Sequence, residues 1–313
     1  QINALIVECV NLQDECTRSI WPSWKTGSTN RIPICVKTRD RDFVYFHPDP
    51  GEDFAVHQHP ALGIYYVRTS SGFSDIQTAG ILNDVATVIV SLDCRQDFHP
   101  CQWVLTTLHE MFHVFQFRAG QHFLDQNYSS LFSGQYSQFN DLDFPCPYDD
   151  ELANAARRIE AEAIFLGATA KTPMTQSERA VATRFWRVVY QLQAGVFSKK
   201  EIVAYKQKSE WVEGVARYVE REFATAASSA SYSKADEFLA CFPASDYSDN
   251  EVVERYEKML NPIRFIGDGV TGRTSFYYSG MGKAYFLDRL DNSWKTKYFS
   301  NDLDELIMSA ADQ

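Results

Sequence analysis

Leu108-His109-Glu110-Met111-Phe112-His113-Val114-Phe115-Gln116 is the stretch on which the reading of this chain turns. Val104, Leu108, Met111, Phe112 and Phe115 recur at helical spacing, which predicts a helix from Trp103 to Arg118 with Gly120 as its stop. Residues i and i+4 share one face of a helix, so the imidazoles of His109 and His113 can converge on a single metal ion. Glu110 sits beside the first histidine and can reach a water held by that ion. This is the arrangement of a zinc-activated hydrolase with a carboxylate as general base. The competing reading is two histidines hydrogen-bonded on a buried helix face.

A catalytic zinc has three protein ligands and one open position. The third ligand must come from elsewhere in the chain. The metzincin extension would need Gly at 116 and His at 119, where this sequence has Gln116 and Ala119, and His122 does not substitute for them. Glu213 in Trp211-Val212-Glu213-Gly214-Val215-Ala216-Arg217-Tyr218 is the better candidate. Small residues after it permit close backbone approach, and its largely apolar flanks predict a buried helix, where a carboxylate needs a partner. Glu160 and Glu162 are the competitors, with pairing to Arg157 or Arg158 or support of a ligating histidine as their alternative roles.

Outward from the motif, the chain divides into a β-containing first part, residues 1–120, and a helical remainder, residues 121–313. Residues 1–30 fit either a helix or a strand. Pro33 to Val36 and Phe43 to Phe46 read as a hairpin, and Gly63 to Arg68 and Ala86 to Leu92 as strands. Residues 125–148 read as a long loop. Helices are expected at 151–170, at 177–194 with Val181, Phe185, Val188, Val189 and Leu192 as the buried face, and at 210–224. Further helices are expected from 251 up to Pro262, at 279–290 and at 303–310, with 225–233 as a connection. His57 and His59 read as exposed loop residues rather than a second metal site, and His47 and His99 as turn residues before proline. Asp141, Asp143, Asp149 and Asp150 form an acidic loop without EF-hand spacing.

Hydrophobic residues make up 45% and charged residues 23% of the 313 residues, the composition of a folded globular protein. Thirty basic against forty-one acidic residues give a net charge of −11, which argues against a nucleic-acid partner and an anionic membrane surface. The seven cysteines contain no C-x-x-C pair. Cys9 with Cys16, or Cys94 with Cys101, could close a small disulfide loop, or the thiols are small buried hydrophobes. A start at Gln1 and the sequon Asn127-Tyr128-Ser129 point to an exported protein, secreted or periplasmic.

The run H-E-M-F-H-V-F-Q from His109, followed by E-G-V-A-R-Y from Glu213, resembles the gluzincin, thermolysin-like branch of the H-E-x-x-H zinc metallopeptidases. Phe276 to Gly280, Leu287 to Leu290 and Trp294-Lys295 are similar to the closing segment of some bacterial members, so the resemblance spans residues 86–296. Glu213 follows His113 by 100 residues, farther than in many gluzincins, and an inserted helix pair between 149 and 195 accounts for the difference. The resemblance implies an α+β, zincin-like fold: a small N-terminal β-sheet subdomain carrying the H-E-x-x-H helix, and a mainly helical C-terminal subdomain supplying the third ligand. It implies Zn2+ held by His109, His113 and Glu213, with Glu110 as base and a peptide or protein as substrate. An oxyanion donor is expected from a tyrosine of the helical half, with Tyr278 first, then Tyr277 and Tyr218. It also implies that a substrate strand pairs with an edge strand in the region of Ala86 to Leu92. Two other classes stand beside this one: a zinc hydrolase of a non-peptide substrate, and a non-catalytic, metal-stabilised binding protein. Zinc content separates the last from the others, and casein hydrolysis with a chelator control separates the first two.

Overall fold

A computed structural model describes residues 1–27, 30–70, 72–73, 75–92, 98–131, 144–169, 173–197, 199–270 and 272–310. It is an α+β protein, a six-stranded sheet followed by a mostly helical remainder. The chain makes two compact units, each from two stretches: residues 1–118 with 219–256, and residues 119–218 with 257–313. No helix among the described residues is long and apolar enough to cross a membrane.

The first unit opens with α1 (Ile2–Ile20), which settles the ambiguous start as helix. Its stripe of Leu5, Ile6, Cys9, Leu12, Cys16 and Ile20 is buried. The strands are β1 (Ile34–Lys37), β2 (Arg41–Tyr45), β3 (Ala55–His59), β4 (Gly63–Thr69), β5 (Gln77–Leu82) and β6 (Val85–Ser91). They lie in the order β3-β4-β2-β1-β6-β5, antiparallel except for the β1–β6 pair. The expected hairpin is β1–β2. Two strands escaped the sequence reading. Strand β5 joins β6 through Asn83 and Asp84, both at positive φ (41° and 63°), a two-residue turn that matches the twist of the strands it links. Strand β3 carries His57 and His59, which therefore sit on an outer strand and not in a loop. The Ala86–Leu92 run is β6, interior to the sheet, so the strand expected at an edge is paired on both sides by β1 and β5.

Helix α2 (Pro100–Tyr128) packs on β6. Trp103 Nε1 donates to the Ser91 carbonyl at 2.9 Å, and Arg118 reaches the Ala86 carbonyl at 3.2 Å. The rings of Trp21 and Trp24 lie 4.9 and 5.5 Å from Phe112, which fixes the rotation of α2 about its axis. Near the far end of this unit come α7 (Asp236–Cys241) and α8 (Asn250–Glu257). The buried Glu8 carboxylate of α1 accepts from the Tyr232 hydroxyl and from the Ala235 amide at the start of α7, both at 2.8 Å. Burial pushes the Glu8 carboxyl above its ordinary range, and the Ala235 amide and the Tyr232 hydroxyl counter it.

The second unit contains α3 (Glu151–Thr169), α4 (Gln176–Val196), α5 (Lys200–Ser209), a π-helical turn (Glu210–Gly214) that leads into α6 (Val215–Ala227), whose residues from 219 onward belong to the first unit, a 3-10 stretch (Lys258–Phe265), α9 (Thr274–Leu290), α10 (Trp294–Lys297) and α11 (Leu303–Ser309). Four expectations are corrected here. Gly120 does not stop α2; it lies under Trp211, whose ring a Cβ would meet at 2.7 Å, so the glycine serves packing. On α4 the apolar stripe faces outward, with Val181, Phe185 and Val188 at 66%, 51% and 62% exposure. The buried side is Thr183, Trp186, Val189 and Gln193, because Trp186 seats against Phe286 of α9. Pro262 sits inside the 3-10 stretch and does not end helical structure. The expected 225–233 connection begins later, since α6 runs to Ala227.

Cys9 and Cys16 are free and buried on one helix, as are Cys35 and Cys101 elsewhere, which favours the small-hydrophobe reading for these four. Cys94 lies outside the described residues, as do Asp141 and Asp143. Asp150 accepts from the Ala153 amide at 2.7 Å and caps α3.

Candidate metal centre

On α2 the two histidine rings stand nearly perpendicular (84°), with their Nε2 atoms 3.1 Å apart. Each ring has a polar side chain behind it, hydrogen-bonded at His113 and at ion-pair distance at His109. Gln116 Oε1 lies 2.8 Å from His113 Nδ1, and an amide oxygen can only accept, so the proton sits on that nitrogen. Glu220 of α6 has a carboxylate oxygen 3.1 Å from His109 Nδ1, and its other oxygen accepts from the Tyr256 hydroxyl at 2.8 Å. A carboxylate at Nδ1 draws the ring proton to that side. Both Nε2 atoms then present lone pairs to one another, an arrangement that a cation between them stabilises. A tetrahedral ion with metal–nitrogen bonds of 2.0–2.1 Å separates two nitrogen ligands by roughly 3.3 Å, close to the observed spacing.

Glu213 is the third member of the candidate set. One ligand atom each of His109, His113 and Glu213 lies within 4.8 Å of the others. Two imidazoles and a carboxylate form a donor set suited to zinc. Glu213 rides on the π turn, a form found mostly as single-turn insertions and often at functional positions. Its Oε1 accepts from the Arg273 guanidinium at 2.8 Å, and the Tyr277 hydroxyl bonds the same side chain. The close backbone approach expected at Gly214 is real, but its partner is α9: a Cβ on Gly214 would collide with the Gly280 backbone, and one on Gly280 with the Glu210 backbone.

Glu110 is 7% exposed, and its carboxylate has no hydrogen-bond or ion-pair partner among the described residues. The three tyrosine candidates separate. The Tyr218 hydroxyl donates to Asp288 at 2.8 Å, and its ring is core. Tyr277 is the tyrosine that bonds Glu213. Burial, then the Glu213 charge, pushes its phenol upward, so it keeps its proton and can donate at neutral pH. Tyr278, placed first by the sequence, is half-buried on α9, turned about 100° from Tyr277.

The competitor ligands are elsewhere. Glu160 is buried between Lys206 at 2.6 Å and Lys283 at 3.0 Å, not paired with the arginines beside it, and Glu162 is exposed. His59 lies 3.2 Å from Glu237, and His57 stacks on Tyr65. The buried His47 is fastened in its turn by the Leu82 carbonyl and the Asp49 amide. The His99 carbonyl accepts from the Trp103 amide in the first turn of α2.

The sequence reading missed Gln116, Glu220, Tyr256 and Arg273. Gln116 lies one turn after His113, and Glu220 lies two turns after Glu213, so helical spacing was the available signal for both. Glu220→Gln keeps an acceptor for Tyr256 but loses the charge beside His109. It is expected to weaken zinc binding by roughly 10–100-fold, measured by competition with a chromophoric chelator. Unchanged affinity would remove Glu220 from the site.

No protein-family model, curated protein or solved structure matches the chain.

Proposed function

We propose that the chain is a zinc-dependent metallopeptidase of zincin-like, gluzincin type, with zinc held by His109, His113 and Glu213. The observation that carries the reading is the pair of facing Nε2 atoms, 3.1 Å apart, each ring with a polar side chain behind it. Bound there, zinc would supply Lewis-acid polarisation of a scissile carbonyl and would acidify a water at the open position. Glu110 takes the proton of the attacking water and delivers it to the leaving amine. Its lack of a partner among the described residues suits a base that serves a water. Tyr277, once its single hydroxyl proton is released from Glu213, donates a hydrogen bond to the oxyanion in place of Tyr278.

The substrate in this reading is an extended peptide or unfolded protein, paired along the outer strand β5 now that β6 is interior. The net charge of −11 speaks against nucleic acid as a substrate. An exported location fits the sequon, whose Asn127 side is exposed on α2, and fractionation of the native source checks it.

The deciding experiment is metal content by elemental mass spectrometry on chain purified without chelator, followed by casein hydrolysis with and without chelator. Near one zinc per chain and chelator-sensitive cleavage support the reading. Zinc without cleavage favours a hydrolase of another substrate, and absence of zinc after supplementation overturns it. Tyr277→Phe removes the donor and is expected to lower kcat by about 10²-fold with KM little changed, read from steady-state kinetics on a fluorogenic peptide. An unchanged kcat would return the role to Tyr278.

A further inference from the structure

Behind the π turn lies an ionic cluster that the proposed chemistry does not use. Glu160, Lys206, Glu210, Lys283 and Asp304 are each at most 5% exposed. Lys283 Nζ contacts Glu210 and Asp304 at 2.7 Å and Glu160 at 3.0 Å. Lys206 contacts Glu160 at 2.6 Å and Glu210 at 3.2 Å. Buried ion networks contribute less to stability than apolar side chains of similar volume, so this one calls for another role.

Glu210 is the first residue of the turn that carries Glu213. Its Oε1 accepts from the Ser279 hydroxyl at 2.5 Å, and its Oε2 from Lys283 at 2.7 Å. The Tyr298 hydroxyl donates to the Trp211 carbonyl at 2.5 Å, and Gly214 abuts Gly280. A π turn holds one residue more than the α turn it replaces. Its relaxation to α would swing Glu213 by about 100° relative to α6. Tyr277, Ser279, Gly280 and Lys283 all belong to α9, so one helix touches the ligand, the start of its turn and its end.

We infer that Ser279 and Lys283, by gripping Glu210, hold the 210–214 turn in its wide form and so aim Glu213 at the metal. Ser279, Lys283 and Glu210 are positioning residues for the third ligand. This rests on the zinc reading above.

The test uses the full chain loaded with cobalt(II), whose visible absorption reports ligand geometry, together with zinc competition and thermal melting. Ser279→Ala, and Glu210→Gln as a second variant that keeps side-chain shape, are expected to weaken cobalt binding at least tenfold and to alter its spectrum. For Ser279→Ala the melting temperature stays within a few degrees of wild type. Asp304→Asn disturbs the same cluster but not the turn. It is expected to lower the melting temperature while leaving cobalt affinity within twofold. A wild-type spectrum and affinity in Ser279→Ala, or affinity that merely follows melting temperature across the variants, overturns the inference. Failure of the zinc reading looks different: the wild type binds no cobalt, or binds it equally after His113→Ala, and the inference falls with it.

Discussion

Replacing Glu110 by Gln is expected to lower hydrolysis of casein by roughly 10²–10⁴-fold, the contribution of a positioned general base, while zinc content stays at the wild-type level. Gln has the same shape as Glu, so α2 keeps its packing against Trp21 and Trp24. Glu110 is 7% exposed and, among the described residues, holds no other group in place, so little besides the proton acceptor is lost. A side chain with a purely structural role would show the reverse pattern, a lowered melting temperature with activity retained per folded molecule. Activity of the variant within a few-fold of wild type, with zinc bound, would exclude Glu110 as the base.

Glu213→Ala is expected to lower zinc affinity by more than the roughly 10–100-fold typical of an outer supporting group, because it removes one of three protein ligands from a site with an open fourth position. Chain purified without chelator would then carry well under one zinc. Glu162→Ala is the matched control, and its zinc content should not move, since that side chain is exposed. Glu160→Gln tests something different. It leaves two buried ammonium groups, Lys206 and Lys283, with one anion fewer, so its effect should fall on folding stability. Zinc retained in Glu213→Ala and lost in Glu160→Gln would reverse these assignments.

The elements nearest the motif were legible because their periodicity and their packing agree. The α2 pattern of Val104, Leu108, Met111 and Phe112 is both apolar and buried, and the β1–β2 hairpin has its apolar runs where the ladder forms. On α4 the two part company. Its most apolar stripe, Val181, Phe185 and Val188, points outward, while Thr183 and Gln193 are buried. The helix is oriented by Trp186 against Phe286 and by hydrogen bonds such as Gln193 Nε2 to the Ala156 carbonyl at 2.8 Å. No hydrophobicity pattern records a choice made by one large ring and one amide. Gly120 misled for a related reason: glycine marks a helix stop when the backbone needs freedom and a close contact when a neighbour needs room, and the letter is the same.

The candidate site shows the same division. His109, Glu110 and His113 were readable because their chemistry depends on a spacing within one helix. Glu213 was readable from its flanks, but its π turn was not, since the extra residue is imposed by α9 through Ser279, Gly280 and Lys283. The choice between Tyr277 and Tyr278 depends on how α9 is rotated, which adjacent residues of like chemistry cannot reveal. The first compact unit draws on 1–118 and 219–256, and a unit made of two stretches has no linker to betray it.

That two-part construction bears on how the protein emerges from the ribosome. Helix α1 is synthesised well before the groups that receive its Glu8 carboxylate, since Tyr232 and the Ala235 amide follow it by more than two hundred residues. Until they appear, the Glu8 carboxylate of α1 lacks both of these partners. His109 likewise waits for Glu220. The first unit is therefore completed only once residues 219–256 have been made, long after its 1–118 stretch. Such late closure lengthens the time spent as a partly folded species open to aggregation or chaperone capture. A nascent chain stalled before residue 219 should remain sensitive to protease throughout 1–118, and one stalled well past 256 should not.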